Sequence, residues 1–277
     1  MPATPQPEYD RFAEIYGVWT DTASSTQANL PFYVDTYLAA DGPVVELGVG
    51  NGRIAVAAAI RGCRIIGIDA STAMLDLCEA RAADAGVADL LDLRHADFRD
   101  FTLSEPAGLI ALPYHSIGHL TSLEEKRRAL LQVLTQLRPG GRFVFDDFLM
   151  TPASMGHMRQ VQLRAIYPPS ATAPPPRDQS SVAPTTAQDT LLWVTSLIDE
   201  SSQRLTVVTW EDRLHADGSL DTRRYRRLSL SWLTPTQARQ LLVDTGFTIE
   251  ACFGDFDGTP FAEASALEQI WIARKPE

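Results

Sequence analysis

The stretch ELGVGNGR, residues 46–53, decides the fold of this chain and lies between a short apolar run and the helix-like segment IAVAAAI. Its three glycines, Gly48, Gly50 and Gly52, allow a tight turn and let a ligand approach main-chain N–H groups that side chains would otherwise cover. Asp69 ends the next apolar run, at about the 20-residue spacing typical of a carboxylate that binds ribose hydroxyls. The stretch therefore predicts a nucleoside pocket at the carboxyl edge of a sheet.

Short apolar runs alternate with segments of helical length from Pro43 onward. Such alternation is typical of βαβ units, in which helices cover both faces of a parallel sheet. The runs that predict the first five strands are VVELG (44–48), RIIGID (64–69), LDLRHAD (91–97), LIALPY (109–114) and RFVFDDF (142–148). Near the end of the chain, Thr234-Pro235 opens a predicted helix. Two last strands, FTIEACF (247–253) and EQIWIARK (268–275), are predicted to return to the main sheet.

The remaining segments predict a cap, a loop and a lid. Aromatic and apolar residues recur at helical spacing through residues 8–40, which predicts an N-terminal helical cap. The stretch 151–190 is rich in Pro, Ser, Thr and Ala and predicts a mobile loop. Three alternating segments then predict an antiparallel sheet: 191–199, 204–214 and 223–233. The predicted domains are the cap at 1–40, a main domain at 41–150 with 234–277, and a loop-plus-lid region at 151–233.

Composition and charge narrow the class of function. Twenty-four Lys plus Arg against 35 Asp plus Glu give a net charge of -11, so the molecule repels nucleic-acid backbones and anionic membranes. The basic run RRYRR at 223–227 divides between two strand faces and has Glu211 and Asp212 on the neighbouring strand, which predicts cross-paired side chains. Neither a signal-peptide pattern nor a long apolar window occurs, so we expect a cytosolic protein. Three scattered cysteines predict reduced thiols and no metal site.

Two cofactors compete for the glycine-rich stretch. The residues from Gly50 to Ala55 also satisfy the G-x-G-x-x-A fingerprint of dinucleotide-binding proteins. Glu46, an acid just before the glycines, would repel a pyrophosphate and attract a cationic ligand. Asp97 and Phe98 follow the third predicted strand, where a carboxylate can accept a hydrogen bond from the adenine amino group and a ring can cover the base. These residues favour S-adenosylmethionine over NAD(P).

With these motifs the sequence resembles the class I S-adenosylmethionine-dependent methyltransferases. The resemblance covers residues 40–150 closely and the last two strands less specifically. The motifs that carry it are ELGVGNG (46–52), GIDAS (67–71), ADF (96–98), PYHSIGHL (113–120) and LRPGGRFVFD (137–146). It implies an α/β fold: a Rossmann-like, seven-stranded, mostly parallel sheet with an antiparallel last strand and helices on both faces, beside the helical cap and the small antiparallel β lid.

The resemblance also implies a set of cofactor-binding residues. The glycines would line the methionine part with Glu46 close behind, Asp69 would bind the ribose, and Asp97 with Phe98 would hold the adenine. The full set is Tyr16, Glu46, Gly48, Gly50, Asn51, Gly52, Asp69, Ala70, Met74, Asp97, Phe98 and Pro113.

The segment PYHSIGHL is similar to the fourth-strand loop of small-molecule N-methyltransferases, including amino-sugar and glycine N-methyltransferase-like enzymes. That resemblance implies three catalytic residues, His119, His115 and Tyr16. His119 would relay the proton that leaves an amine, or act as general base toward a hydroxyl. The substrate-binding residues implied are Tyr9, His119, Asp146 and Asp147, the two aspartates attracting an ammonium group.

The sequence therefore predicts an S-adenosylmethionine-dependent methyltransferase that acts on a small molecule, with an amine nitrogen in secondary metabolism preferred. Oxygen or carbon acceptors remain open. So do a cofactor-binding protein that does not methylate and an NAD(P)-dependent oxidoreductase, because a nucleotide end can persist while the acceptor end changes. We expect no nucleic-acid or membrane partner, and the family resemblance suggests a homodimer through the 191–233 sheet.

Overall fold

A computed structural model describes residues 12–21, 24–167 and 189–277. The helices in these ranges are α1 (Ala13–Asp21), α2 (Ser24–Leu38), α3 (Arg53–Ile60), α4 (Thr72–Asp84), α5 (Leu123–Gln136), α6 (Pro152–Met158) and α7 (Pro235–Asp244). The strands are β1 (Val44–Leu47), β2 (Ile65–Asp69), β3 (Leu91–His95), β4 (Ala107–Leu112), β5 (Leu137–Phe148), β6 (Gln162–Tyr167), β7 (Thr190–Asp199), β8 (Arg204–Leu214), β9 (Leu220–Ser231), β10 (Thr248–Phe253) and β11 (Glu268–Arg274).

The chain divides into two compact units. The larger unit comprises Ala28–Met150 and Ser231–Glu277, and the smaller unit comprises Met1–Gln27 and Thr151–Leu230. This division differs from the predicted cap at residues 1–40, because Tyr33 and Tyr37 in the second half of α2 belong to the buried core of the larger unit.

The larger unit holds a seven-stranded sheet in the order β10-β11-β5-β4-β1-β2-β3. Strands β1 to β5 pair in parallel, and β11 pairs antiparallel with both β5 and β10. The predicted seven-stranded, mostly parallel sheet with an antiparallel last strand is therefore confirmed. Every residue of β1 and β4 is buried, as expected of central strands that helices cover on both faces.

The two faces of β1 enter different clusters of the core. Val45 and Leu47 pack in a cluster with Leu130 of α5 and Trp271 of β11. Val44 packs on the opposite face in a cluster that includes α2 and α3 residues. Because side chains alternate along a strand, Glu46 shares the face of Val44 and points toward the helices on that side.

Side chains at three helix starts satisfy the main-chain N–H groups that the first turn leaves open. Ser71 accepts a hydrogen bond from the N–H of Met74 at the start of α4. Ser122 and Thr234 form capping boxes at the starts of α5 and α7, and Pro235 occupies the first turn of α7. The predicted helix start at Thr234 is therefore confirmed.

The smaller unit holds a four-stranded antiparallel sheet in the order β6-β7-β8-β9. Three of these strands were predicted, but a loop over all of 151–190 was wrong: Thr151 caps α6, and β6 pairs with β7. Residues 168–188 lie outside the described part of the chain. The predicted cross-pairing of the basic run is present, because Arg223 donates to Asp212 and Arg226 donates to Glu211.

Within the described ranges, no helix is both long enough and apolar enough to cross a membrane. The same ranges hold no group of three or more His, Cys, Asp and Glu side chains arranged to bind a metal ion.

Candidate active site

The glycine loop, residues 48–52 between β1 and α3, has a left-handed backbone. Gly48, Gly50 and Gly52 have φ values of 66°, 54° and 74°, which strain any residue with a Cβ atom. A Cβ atom on Gly52 would lie 2.5 Å from Sγ of Cys78, and one on Gly48 would lie 3.3 Å from Oγ of Ser116. The loop therefore needs glycine for its backbone and for the close approach of its neighbours.

Asp69 connects the end of β2 to the glycine loop. Its Oδ2 accepts a hydrogen bond from the N–H of Gly50 at 2.8 Å, and its Oδ1 accepts one from the N–H of Ser71 at 2.9 Å. Burial raises the pKa of Asp69 above its ordinary value, although these N–H groups act to lower it. Each oxygen of a carboxylate can accept a second hydrogen bond, so Asp69 retains capacity for a ligand's hydroxyl groups.

Glu46 is buried at the end of β1, with 2% of its surface exposed. Its Oε2 accepts a hydrogen bond from Oη of Tyr37 in α2 at 3.0 Å. Burial raises the pKa of Glu46 to about 8, although Tyr37 and Arg53 act to lower it. Without a bound ligand, Glu46 is therefore mostly protonated at neutral pH. Its negative charge is then a weaker reason to exclude a pyrophosphate than the sequence suggested.

Asp97 has a partner that the sequence reasoning did not include. Its carboxylate accepts hydrogen bonds from the main-chain N–H of Arg99 at 2.8 Å and from Nη2 of Arg99 at 2.5 Å. Arg99 also donates to Glu125 at 2.7 Å. Partial burial acts to raise the pKa of Asp97, but Arg99 outweighs it and lowers the pKa below its ordinary value. Phe98 packs against the core cluster beside β1.

The other residues expected to bind the cofactor differ in exposure. Asn51 and Met74 are buried, whereas Ala70 is exposed. Pro113 is buried and its carbonyl accepts a hydrogen bond from Oγ of Ser116 at 2.6 Å. Tyr16 lies in α1 of the smaller unit. Tyr9 lies outside the described residues.

The loop that follows β4, residues 113–120, reaches the glycine loop through Ser116. Tyr114 and His115 have φ values of 59° and 56°, an uncommon conformation for residues with a Cβ atom. Asp146 compensates for it, because its two oxygens accept hydrogen bonds from the N–H groups of Tyr114 at 2.9 Å and His115 at 2.8 Å. Tyr33 donates a third hydrogen bond to the same carboxylate.

Two further side chains hold the short 3-10 helix Ser116–His119 inside this β4 loop. Nζ of Lys126, a lysine with 2% exposure, donates to the carbonyl of Ile117 at 2.6 Å. Oγ of Ser231 donates to the carbonyl of Leu120 at 2.8 Å. The β4 loop is thus fixed by buried polar groups from several elements of the larger unit.

The two histidines of the β4 loop have opposite protonation preferences. Burial and the nearby charge of Lys126 lower the pKa of His119 to about 4, so its imidazole is neutral at physiological pH. Burial acts to lower the pKa of His115, but the charge and hydrogen bond of Glu268 and the charges of Asp146 and Asp147 raise it to about 9. His115 is therefore an imidazolium, which cannot accept a proton.

Asp146 and Asp147 are completely buried. Asp147 accepts hydrogen bonds from the N–H of Leu233 and the N–H of Phe148, both at 2.8 Å. Burial raises the pKa of Asp147 to about 6, although Lys126 acts to lower it. We expected these two aspartates to attract an ammonium group, but neither carboxylate is exposed. Their hydrogen bonds favour a structural role.

Sequence reasoning missed Tyr33, Tyr37, Lys126 and Glu268. The topology gives a signal for Glu268: β11 is antiparallel, so its first residue lies at the same edge of the sheet as the last residues of β4 and β5. The tyrosines and the lysine carry no comparable local signal, because they lie on helices among ordinary core residues.

Comparisons with known proteins agree with this geometry. The methyltransferase-domain family matches residues 44–141. A cypemycin N-terminal methyltransferase from Streptomyces sp is 23% identical over 96% of this chain and 98% of its own length. Several further curated relatives align over about half of their own length. Among solved structures, the CcbJ methyltransferase from Streptomyces caelestis has a TM-score of 0.75 at 21% identity, covering 98% of this chain and 99% of its own. The sugar N-methyltransferase KedS8 from Streptoalloteichus sp has a TM-score of 0.67 at 15% identity, covering 100% and 96%.

The strand order, the glycine loop and the acid that ends β2 define the class I methyltransferase fold. The chain carries an S-adenosylmethionine-dependent methyltransferase domain, and S-adenosylmethionine is its cofactor. This identification decides between the two cofactors that the glycine-rich stretch left open. The residues fit the cofactor: Asp69 lies beside the glycine loop, hydrogen-bonded to the N–H of Gly50, and retains acceptor capacity for ribose hydroxyls.

Proposed function

We propose that this methyltransferase transfers the methyl group to an amine nitrogen of a small molecule. The observation that carries the proposal is that neither histidine of the β4 loop is a strong base at neutral pH. A hydroxyl needs a base to remove its proton during attack. A neutral amine attacks with its own lone pair and loses a proton only afterwards, so a weakly basic imidazole is sufficient.

The cofactor supplies the activated methyl group and the leaving group when it is bound. We propose that the glycine loop with Asn51 and Glu46 holds its methionine part, that Asp69 binds the ribose, and that Asp97, Phe98 and apolar neighbours hold the adenine. Ala70, Met74 and Pro113 complete this proposed set within the larger unit, and the roles expected of Tyr16 remain predictions. For Asp97 this role requires an acceptor position that Arg99 leaves free, which its partly exposed carboxylate supports.

His119 is the proposed acceptor-side residue of the β4 loop. Its neutral imidazole can accept the proton that the methylated ammonium releases, or orient the amine before attack. The contact between the glycine loop and Ser116 supports this role, because it brings the two loops together three residues before His119.

Two of the relatives support nitrogen as the acceptor atom, although another is named a 27-O-demethylrifamycin SV methyltransferase. One is described as an N-terminal methyltransferase of cypemycin and one as a sugar N-methyltransferase. Both descriptions name a nitrogen as the methylated atom, and the prediction of a role in secondary metabolism remains part of this proposal. The cytosolic location, the homodimer and the substrate-binding role of Tyr9 remain predictions.

An acceptor screen tests the proposal. The purified chain is incubated with S-adenosylmethionine and matched pairs of probes that differ only in an amino or hydroxyl group, and release of S-adenosylhomocysteine is measured. The pairs are an amino sugar with its parent sugar, and a short peptide with the corresponding N-terminal hydroxy acid. We expect turnover with at least one amine and none with its hydroxyl partner. Turnover with the hydroxyl members alone would contradict the proposal.

The role of His119 is tested with the accepted amine. We expect His119→Ala to lower kcat by about 100-fold, the lower end of the effect of general acid–base catalysis, with the affinity for S-adenosylmethionine retained. His157→Ala is the matched control, because His157 is exposed in the smaller unit. Equal turnover of the two variants would remove His119 from the catalytic residues.

A further inference from the structure

His115 and Glu268 form an ion pair at the carboxyl edge of the main sheet. Nε2 of His115 lies 2.8 Å from Oε2 of Glu268, and both side chains are largely buried. The ring of His115 stacks on Phe148, with centroids 3.9 Å apart and planes inclined by 22°. Phe148 and Glu268 are register partners of β5 and β11, so the two strands support the ring together.

Three carboxylates of the larger unit act on the ring of His115, which also lies beside the rings of Phe148 and Tyr114. From β11 it faces Glu268, and from β5 it faces Asp146, whose Oδ2 lies 3.6 Å from Nε2. Asp147 of β5 adds a third negative charge. From α2, Tyr33 donates a hydrogen bond to Asp146. Lys126 of α5 is the nearby cation, and its charge acts on His119 and on Asp147.

Among the described residues, the side chain of Glu268 has no hydrogen-bonding partner other than His115. Oε2 contacts His115, whereas Oε1 makes no hydrogen bond or ion pair within the described ranges. Within the described ranges, the Glu268 side chain therefore makes its hydrogen bond and ion pair with His115 alone.

We propose that Glu268 is a positioning residue of the acceptor site, which holds His115 as a fixed imidazolium so that His115 donates hydrogen bonds to the acceptor while His119 receives its proton. This inference rests on the proposed function, because it assigns roles on the acceptor side of that reaction. The β4 loop then offers two imidazoles in different protonation states, four residues apart, and the neighbours on β11 and α5 set the difference.

The division explains why two histidines in one loop do not compete for the same proton. A cationic His115 carries a proton on each ring nitrogen and can only donate. One of its N–H groups is occupied by Glu268, and the other remains for a hydroxyl, carbonyl or carboxylate oxygen of the acceptor. The class of acceptor that fits is an amine that carries an oxygen function near its nitrogen, such as an amino sugar or an amino acid derivative.

Glu268→Gln tests the proposal, because glutamine keeps the shape and a hydrogen-bonding oxygen but removes the charge. Nitrogen NMR of histidine-labelled protein reports the protonation of His115 without any acceptor. We expect the midpoint of the His115 titration to fall by about one to three pH units, the usual effect of losing an adjacent opposite charge. Glu263→Gln, at an exposed position between β10 and β11, makes the same charge change and should leave the titration unchanged.

The kinetic arm uses the amine that turns over in the acceptor screen. For Glu268→Gln we expect kcat/KM to decrease as the pH rises through the new midpoint of the His115 titration. For the parent protein and Glu263→Gln we expect no such decrease below about pH 8. Affinity for S-adenosylmethionine and the thermal unfolding midpoint serve as folding controls, and Glu268→Ala serves as a second variant.

The outcomes separate the two proposals. An unchanged His115 titration in both Glu268 variants overturns the positioning role, whatever the acceptor. A shifted titration with an unchanged pH profile also overturns it and leaves the pair as structural. Failure of the parent protein to methylate any amine overturns the proposed function instead, and the NMR result still reports whether Glu268 controls His115.

Discussion

Tyr33 of α2 donates a hydrogen bond from Oη to Oδ1 of Asp146 in β5 at 2.5 Å, across 113 residues of sequence. Neither side chain is exposed. The same carboxylate accepts the N–H groups of Tyr114 and His115. A single buried acid therefore joins a helix, a strand and the β4 loop.

Removing this phenol hydroxyl should destabilise the protein without removing bulk. We expect Tyr33→Phe to lower the free energy of unfolding by about 1–3 kcal/mol, because a buried carboxylate loses one of its three donors. Urea unfolding followed by circular dichroism measures the change. Tyr225→Phe is the control, because Tyr225 is half exposed and its hydroxyl meets only an exposed arginine. Equal stability of the two variants would show that the buried hydrogen bond contributes little.

The close approach of α4 to the glycine loop predicts a contrast between two glycines. Gly52 and Gly218 both have positive φ, 74° and 81°, but only Gly52 has a neighbour that a Cβ atom would strike, Sγ of Cys78 at 2.5 Å. We expect Gly218→Ala to lower the free energy of unfolding by about 1 kcal/mol, through backbone strain alone. Gly52→Ala should lower the free energy of unfolding by about 1–3 kcal/mol more than Gly218→Ala does, because overpacking against Cys78 adds to the strain.

A second substitution isolates the contact. Cys78→Ala combined with Gly52→Ala should recover part of the extra loss, since the sulfur that meets the new methyl group is gone. Calorimetric titration should also show weaker binding of S-adenosylmethionine to Gly52→Ala than to Gly218→Ala. If Gly52→Ala lowers the free energy of unfolding by no more than Gly218→Ala does, the close approach of Cys78 to Gly52 is contradicted.

The sequence predicted most of the main sheet because buried parallel strands have a strong local signature. Runs such as LIALPY are apolar without interruption, and glycine or proline separates them from the helices. The segment QLRAIY of β6 lacks that signature, because it adjoins a Pro-rich stretch and has polar residues on one face. Its strand state depends on pairing with β7, whose partner residues lie 23 to 32 positions away in sequence.

The site was predictable where the chemistry is local and not where it depends on distant partners. The glycines and Asp69 follow from spacing alone. Asp146 looks like an exposed acid at a strand end, and only the tyrosine from α2 and the turned backbone at Tyr114 make its burial possible. In the same way, Glu268 decides the charge of His115 from a strand 153 residues away.

The raised pKa of Glu46 predicts that cofactor binding depends on pH. Alone, Glu46 is protonated below about pH 8, and a cationic ligand beside it favours the charged form. Binding of S-adenosylmethionine should therefore release a proton at pH 7 and tighten as pH rises toward 8. Calorimetry in buffers of different ionisation enthalpy measures the release.

Two controls test the assignment to Glu46. Glu46→Gln should abolish the proton release, whereas Glu79→Gln, an exposed position on α4, should retain it. S-adenosylhomocysteine, which lacks the sulfonium charge, should release less. A release that persists in Glu46→Gln would assign it to another group.

Lys126 predicts a change of stability in the alkaline range. Burial lowers its pKa to about 8, although Asp147 and Glu125 act to raise it. Between about pH 8 and 10.5 the unfolded chain holds this proton and the folded chain does not, so the stability contributed by this group increases as pH rises. Relative to Lys126→Met, the free energy of unfolding of the parent protein should increase by at most about 3 kcal/mol across that range, because each pKa unit corresponds to 1.36 kcal/mol.

Lys275 provides a matched control, because the chain has only these two lysines and Nζ of each donates to a main-chain carbonyl at 2.6 Å. Urea unfolding of the parent protein, Lys126→Met and Lys275→Met at pH 8, 9 and 10 gives the three curves. Lys275 is half-buried near the end of the chain, so Lys275→Met controls for the loss of a lysine that donates to a main-chain carbonyl. Parallel curves for all three proteins would mean that Lys126 keeps its proton when the chain folds, and that the cation beside the β4 loop persists at alkaline pH.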